Sequence, residues 1–337
     1  MTYTSQGLIQ AADYNGFANT TVGGNVNATW ATGVTSAGYG QTALAEVSGP
    51  SPGPAGTVSA TNWATLVNTI SAMAAHQGTT ITARTAPTAN TVIQVLAAVS
   101  TDITNCYNNR GNAVANGTQF TGYTGTNSKT TQTGTSGGGA WTITFTNTVT
   151  FASANAARYF FNAGGRIKID VAKSSTGLTG DPEWNDLATT LCGDIFITGG
   201  AYSQTIAGTV YTGTTKVGGT GTPNTLATTT GFFDLVPGAA ATIVYKQFAD
   251  SAPYTANFIQ HSLSLNAAST VLTITTLWSA NDSNTPPVGG TDPITGGTAA
   301  SGATPGTAPC TIVTYFPPST TYLSASWGTP AVAATTV

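Results

Sequence analysis

Residues 141–151 alternate along the chain, with Trp141, Ile143, Phe145, Val149 and Phe151 on one side and Thr142, Thr144, Thr146, Thr148 and Thr150 on the other. A period of two is that of an extended strand, whose side chains point in turn to opposite faces. One face is apolar and the other carries hydroxyls, so the strand is half buried and half wet. That excludes a parallel sheet covered on both faces by helices and predicts an antiparallel one.

Further strands are expected at residues 166–172, through Ile167, Ile169 and Val171, and at residues 241–248, where the alternation is irregular enough to include a bulge. Residues 257–265 and 270–278 form the best pair, joined by Asn266, Ala267, Ala268 and Ser269, a loop length suited to a hairpin. Two short helices interrupt the strands. One spans residues 152–163 and ends at Gly164-Gly165; the other follows Asp181-Pro182, where Asp181 can cap and Glu183 favours the helix start.

Upstream the period changes. Trp63, Leu66, Val67, Ile70, Met73 and Ala74 recur at helical spacing within residues 59–78, with Ser59 or Thr61 available as a cap and Gly78 as a stop. A second helix is expected over residues 88–109 and a shorter one over 8–19. The Gly/Pro-rich stretch 48–54 cannot be helical, and residues 285–309 read as a long irregular loop. The organisation predicted is a helical region for attachment or oligomerisation at 1–116, a Gly/Thr-rich linker at 117–139 and a β-sandwich at 140–337. The fold class is α+β, mainly β: an N-terminal helical segment, then an antiparallel sandwich with two short inserted helices.

Composition narrows the function. Only 6% of the residues are charged and the formal net charge is -3. Threonine takes up about a fifth of the chain, filling the surface that charges usually occupy. Nine Lys and Arg spread over 337 positions cannot neutralise a run of phosphates, so nucleic acid is not an expected partner. No apolar run is long enough to span a bilayer, so membrane insertion is not expected either. The opening MTYTSQGLIQ has neither the basic nor the apolar region of a signal peptide, which points to synthesis in a cytoplasm. Cys106, Cys192 and Cys310 are far apart and odd in number, and read as small buried hydrophobes.

The residues that carry chemistry elsewhere have plain explanations here. Asp181, Glu183 and Asp186 make the tightest acidic group, and a carboxylate pair is what glycoside hydrolysis needs; three acids in six positions more often decorate one helix turn. The alternating Asp/Asn loop of a calcium site is missing. His76 lies at a helix end and His261 within a strand, neither beside a nucleophile motif or a metal partner. Arg158 and Arg166 read as bonded to local carbonyls or Asp170, or else as a subunit contact. Trp184, Tyr202, Tyr211, Trp278, Tyr315, Tyr322 and Trp327 are the rings on which a sugar could stack, though core or interface is the commoner fate of such residues. No catalytic, cofactor-binding or metal-binding residue is assigned, and no enzyme activity or cofactor is expected.

The run Arg158-Tyr159-Phe160-Phe161-Asn162-Ala163-Gly164-Gly165, set after the threonine-alternating strand, resembles a segment of virion structural proteins of tailed phages, cyanophages among them. Asp13-Tyr14-Asn15, Gly38-Tyr39-Gly40-Gln41, Trp63 with His76-Gln77-Gly78, Pro253-Tyr254-Thr255-Ala256-Asn257 and Asp292-Pro293-Ile294-Thr295-Gly296 are similar to other passages of the same proteins. The resemblance implies a tail, neck or fibre component of a virion that acts through oligomeric assembly. Its implied partners are copies of itself, with a trimer the leading expectation, and neighbouring virion proteins. A receptor- or glycan-binding adhesin module on the virion surface, meeting a host glycan, is the alternative. The family carries over no catalytic residues.

Overall fold

A computed structural model describes residues 11–19, 25–31, 37–47, 56–89, 96–115, 117, 125–128, 133–134, 141–173, 181–281 and 309–336. Its helices are α1 (Ala11–Ala18), α2 (Val26–Trp30), α3 (Ala60–Gln77), α4 (Leu96–Asn108), α5 (Ala154–Asn162) and α6 (Asp181–Asp186), the last running on into a wider i→i+5 turn at Leu187–Cys192. The strands are β1 (Gly125–Ser128), β2 (Thr133–Gly134), β3 (Trp141–Thr150), β4 (Arg166–Ala172), β5 (Asp194–Ile197), β6 (Ser203–Ile206), β7 (Thr209–Thr212), β8 (Thr214–Val217), β9 (Thr225–Leu226), β10 (Thr242–Phe248), β11 (Phe258–Leu265), β12 (Val271–Ala280), β13 (Cys310–Phe316) and β14 (Ala331–Thr336). The fold is α+β and mainly β, as the periodicities predict. The stretches 48–54 and 285–308 lie outside the described residues, as do Leu8 and Ile9; of the helix expected over residues 88–109, Thr88 and Ala89 are not helical, 90–95 lie outside the described residues, and α4 begins at Leu96.

Two antiparallel sheets form the β part. One runs β1-β13-β4-β5-β8; the other runs β14-β3-β12-β11-β10-β9, with β2 also paired to β3. The long alternating strand β3 lies inside the second sheet, and its inward residues Ile143, Phe145 and Val149 are at most 1% exposed. The expected hairpin joins β11 to β12. Its loop is closed by the Asn266 side chain, which accepts from the backbone N–H of Thr270 and Val271 at 2.8 and 3.0 Å. The bulge in β10 falls between Ile243 and Tyr245. Within residues 117–139, read as linker, the described residues other than Gly117 form β1, which pairs with β13 of the first sheet, and β2, which pairs with β3 of the second.

The helices form where caps and stripes dictate. Ser59 and Asn62 make a reciprocal capping box at the start of α3, and Gly78 ends it in the left-handed region with φ 72°. The buried stripe Trp63, Leu66, Ile70 and Met73 then packs with Tyr14 and Phe17 of α1, whose rings meet Trp63 edge-on at 5.8 and 6.2 Å. One continuous apolar cluster runs from these residues through Phe151, Phe160 and Phe161 to Trp278 in the second sheet.

An extended segment, residues 37–47, is held between the helices and the sheets. Helix amides replace a strand partner: Asn27 exchanges two bonds with the backbone of Leu44, and Asn15 does the same with Val47, all at 2.8–2.9 Å. Further along, Asn162 donates to the Gly38 carbonyl and Gln41 joins Ser324. Gly40 sits at φ 72°, and a Cβ there would come within 2.4–2.7 Å of the Tyr159 ring. Gly40→Ala is therefore expected to cost about 1–3 kcal/mol from backbone strain and displacement of the ring. Chemical denaturation checks this; an unchanged midpoint would mean that the segment does not pack on α5.

Candidate functional site

Trp184 is the anchor of α6. It is 2% exposed and stacks on Trp278 with ring centroids 5.7 Å apart, which fixes the helix against the second sheet. Glu183 and Asp186 flank that anchor, and the loop after β10 brings Asp250 to them. One ligand oxygen from each of the three lies within 4.8 Å of the others. Asp181, the third acid of the sequence group, has its side chain outside the described residues. Asp250 was not legible as a member, since only the placement of β10 beside the i→i+5 turn brings it there.

Glu183 accepts from Ser251, whose hydroxyl also donates to Asp250 Oδ1 at 3.1 Å. Its other oxygen, Oε1, is buried with no partner. Burial raises the Glu183 pKa above its ordinary value, the Ser251 bond pulls against that, and the Asp186 and Asp250 charges add to the rise. Among the described residues these three carboxylates are the group able to hold a metal ion. They supply three oxygens, whereas a calcium ion takes about six to eight. The nearby indoles, Trp184 and Trp278, are buried and offer no ring face to a sugar.

A raised carboxyl pKa means that the folded chain binds more protons than the unfolded one, so its penalty is present above the folded pKa and absent below the unfolded value. Glu183→Gln should thus raise the melting temperature at pH 7, with the gain vanishing below about pH 4. Melting curves at both pH values check this; a loss of stability at pH 7 would contradict it.

Both histidines are core residues. His76 Nε2 donates to the Ala163 carbonyl at 3.0 Å, tying the end of α3 to the end of α5, and its ring meets Tyr39 edge-on. His261 lies flat against Tyr245 at 5.2 Å, with Nδ1 2.9 Å from the Thr276 hydroxyl. Burial lowers the pKa of both, that of His261 to about 3. Burial pushes the thiols of Cys106 and Cys192 up to about 12, so neither is a nucleophile near neutral pH.

Of the seven rings named as stacking candidates, Tyr322 alone is exposed, at 44%; Tyr202 is half-buried, and Trp184, Tyr211, Trp278, Tyr315 and Trp327 are buried. Tyr315 and Trp327 form the floor of a neutral cleft of about 430 Å³, edged by Pro317, Pro318, Thr321 and Thr329.

The arginines differ from expectation. Arg166 does not pair with Asp170, which is taken with Asp194 by Lys168. Instead it is 4% exposed inside a cage of Phe196, Tyr211 and Phe316, with ring centroids 4.6–5.6 Å away. The hairpin of β6 and β7 supplies Tyr211 and closes the cage over the outer face of the first sheet. Arg158 has no local carbonyl at Nε, which is buried without a partner. It lines a groove of about 260 Å³ with Phe232, Phe233, Leu235, Pro237 and Leu265.

The outer face of the second sheet is a hydroxyl surface. Cross-strand rows run Thr146, Thr275, Ser262 and Thr148, Thr273, Ser264, all half-buried by their neighbours. Lys246 is the one Lys, Arg, Asp or Glu in the strands of that sheet, and its ammonium lies over the rings of Phe248 and Phe258. No described helix is long and apolar enough to cross a membrane. Neither protein-family models, curated proteins nor solved structures give a match to the chain.

Proposed function

We propose that the chain is a structural protein of a tailed-phage virion, a tail, neck or fibre component that works by assembling with copies of itself and with neighbouring virion proteins. The observation that carries this reading is the outer face of the second sheet. Its threonine and serine rows present hydroxyls and methyls with almost no charge to desolvate. Covering such a face against a like surface costs little, because hydroxyls can bond across the contact. The resemblance around residues 158–165 supports a role in the virion, and three copies is the number it implies. No catalytic step is part of the reading: the buried histidines and raised thiols are core residues. Phage made without the gene tests it. The expected result is particles that fail to assemble or lack a substructure, and normal particles with normal infectivity would refute it.

The alternative is a receptor- or glycan-binding module, favoured by the neutral cleft edged by Pro317, Pro318, Thr321 and Thr329. It predicts normal particles that fail to adsorb to the host, and binding on a glycan array that is lost in Thr321→Trp.

A further inference from the structure

In a chain with so few charges, the fold gives almost every described one a neighbour. Arg84 pairs with Asp102, and Lys168 with Asp170 and Asp194. Arg110 donates to the Tyr107 carbonyl, and Lys216 to those of Gly219 and Gly221. Arg166 and Lys246 sit on aromatic rings, Asp234 accepts from the Gly231 N–H, and Glu183 and Asp250 accept from Ser251. Asp13 and Lys173 are engaged as well. Among the described side chains Arg158, Asp186 and Glu46 remain, and of the two acids Asp186 is half-buried beside Glu183 and Asp250 whereas Glu46 is exposed.

The base is Arg158. Its guanidinium lies over the ring of its own neighbour Tyr159, 5.2 Å from the centroid, with Nε buried and unbonded and no carboxylate within reach among the described residues. It faces a groove whose walls are apolar, and Phe233 on that groove is 38% exposed. Val236, between groove residues Leu235 and Pro237, is 68% exposed. An arginine beside exposed aromatic and aliphatic side chains is the composition of an interface anchor.

The acid is Glu46. It is exposed in the extended segment 37–47, between Leu44 and Val47, and both of those neighbours are clamped by helix amides. A carboxylate between two pinned residues is presented at little entropic cost on binding.

We propose that Arg158 of one copy receives Glu46 of a neighbouring copy, with Ala45 and the adjoining backbone covering Phe233. The occupant is a second copy because the charges complement one another: the unpartnered described base meets the exposed unpartnered described acid. In a closed symmetric assembly each copy supplies both, so every groove is filled and every Glu46 is used. The inference rests on the self-assembly reading above and adds the residues that make the contact.

Charge reversal tests it by sedimentation on the full chain. Arg158→Glu and Glu46→Arg should each weaken the oligomer at least about tenfold, since each places like charges together in a partly desolvated groove. The double variant, with the charges exchanged, should restore most of the loss. Circular dichroism confirms that each variant is folded, and Phe233→Ser gives a second probe of the same groove, expected to weaken assembly without touching a charge. An oligomer indifferent to all of these changes overturns the pairing while leaving the assembly reading intact. A wild-type chain that is monomeric overturns both.

Discussion

Replacing Asp102 with alanine lowers the free energy of unfolding by about 3–5 kcal/mol, because it strands the Arg84 guanidinium inside the helical region. Both side chains are 5% exposed, and Asp102 also accepts from the Thr82 N–H at 3.2 Å, so the carboxylate fixes a loop as well as a charge. Exposed pairs of this kind contribute little, but a buried cation left alone must drag water in or shift the backbone. The double change Arg84→Met with Asp102→Leu removes both charges at similar volume and should cost much less than Asp102→Ala alone. Urea titrations of the three proteins check this. Equal losses in the single and double variants would show that packing, and not the stranded charge, sets the effect.

Acidification produces the second large effect. His261 has its folded pKa lowered to about 3, and His76 is lowered too, both by burial. A lowered pKa means that the unfolded chain binds protons the folded one refuses. The histidine contribution is whole above the unfolded value of about 6.5 and is lost as pH falls toward the folded one. His261 alone sheds roughly 1.4 kcal/mol per pH unit across that window, or about 2 kcal/mol between pH 6.5 and pH 5. Glu183, with its pKa raised, works the other way but begins from the usual carboxylate range, so the upper part of the window belongs to the histidines. His261→Phe keeps a ring on Tyr245 and removes the titration. Its unfolding free energy, even if lower at pH 7, should fall less steeply from pH 7 to pH 5. An equal slope in variant and wild type would contradict a neutral buried His261.

The long strands were legible because each keeps one wet face. In β3, β11 and β12 the alternation that appears in the sequence is the alternation of burial in the fold. The short strands of the first sheet were not legible, and β5 shows why. Its Ile195, Phe196 and Ile197 are all buried, since the cage around Arg166 and the hairpin of β6 and β7 cover the side that would otherwise be wet. A strand covered on both faces loses its period. Helix α2 was missed for a related reason: five residues are too few to show a stripe, and Asn27, which looks like a surface residue, is buried to bond Leu44 far along the chain.

The candidate site was half legible. Glu183 and Asp186 stand out in the sequence as neighbours, but Asp250 reaches them through tertiary structure alone. For Arg166 the sequence offered local carbonyls, Asp170 or a subunit contact, and missed the aromatic cage because its rings come from three separate strands. Arg158 was marked as a subunit contact or a locally bonded residue. Only the fold shows that its Nε is buried with no partner among the described residues.

Charge scarcity and a hydroxyl face on the second sheet fit a protein whose surfaces are covered by other copies of itself. Sedimentation velocity of the purified chain at micromolar concentration and pH 7 tests that most directly. The expected result is a single closed oligomer of a few copies, persisting on dilution through that range; a monomer at every concentration would contradict it.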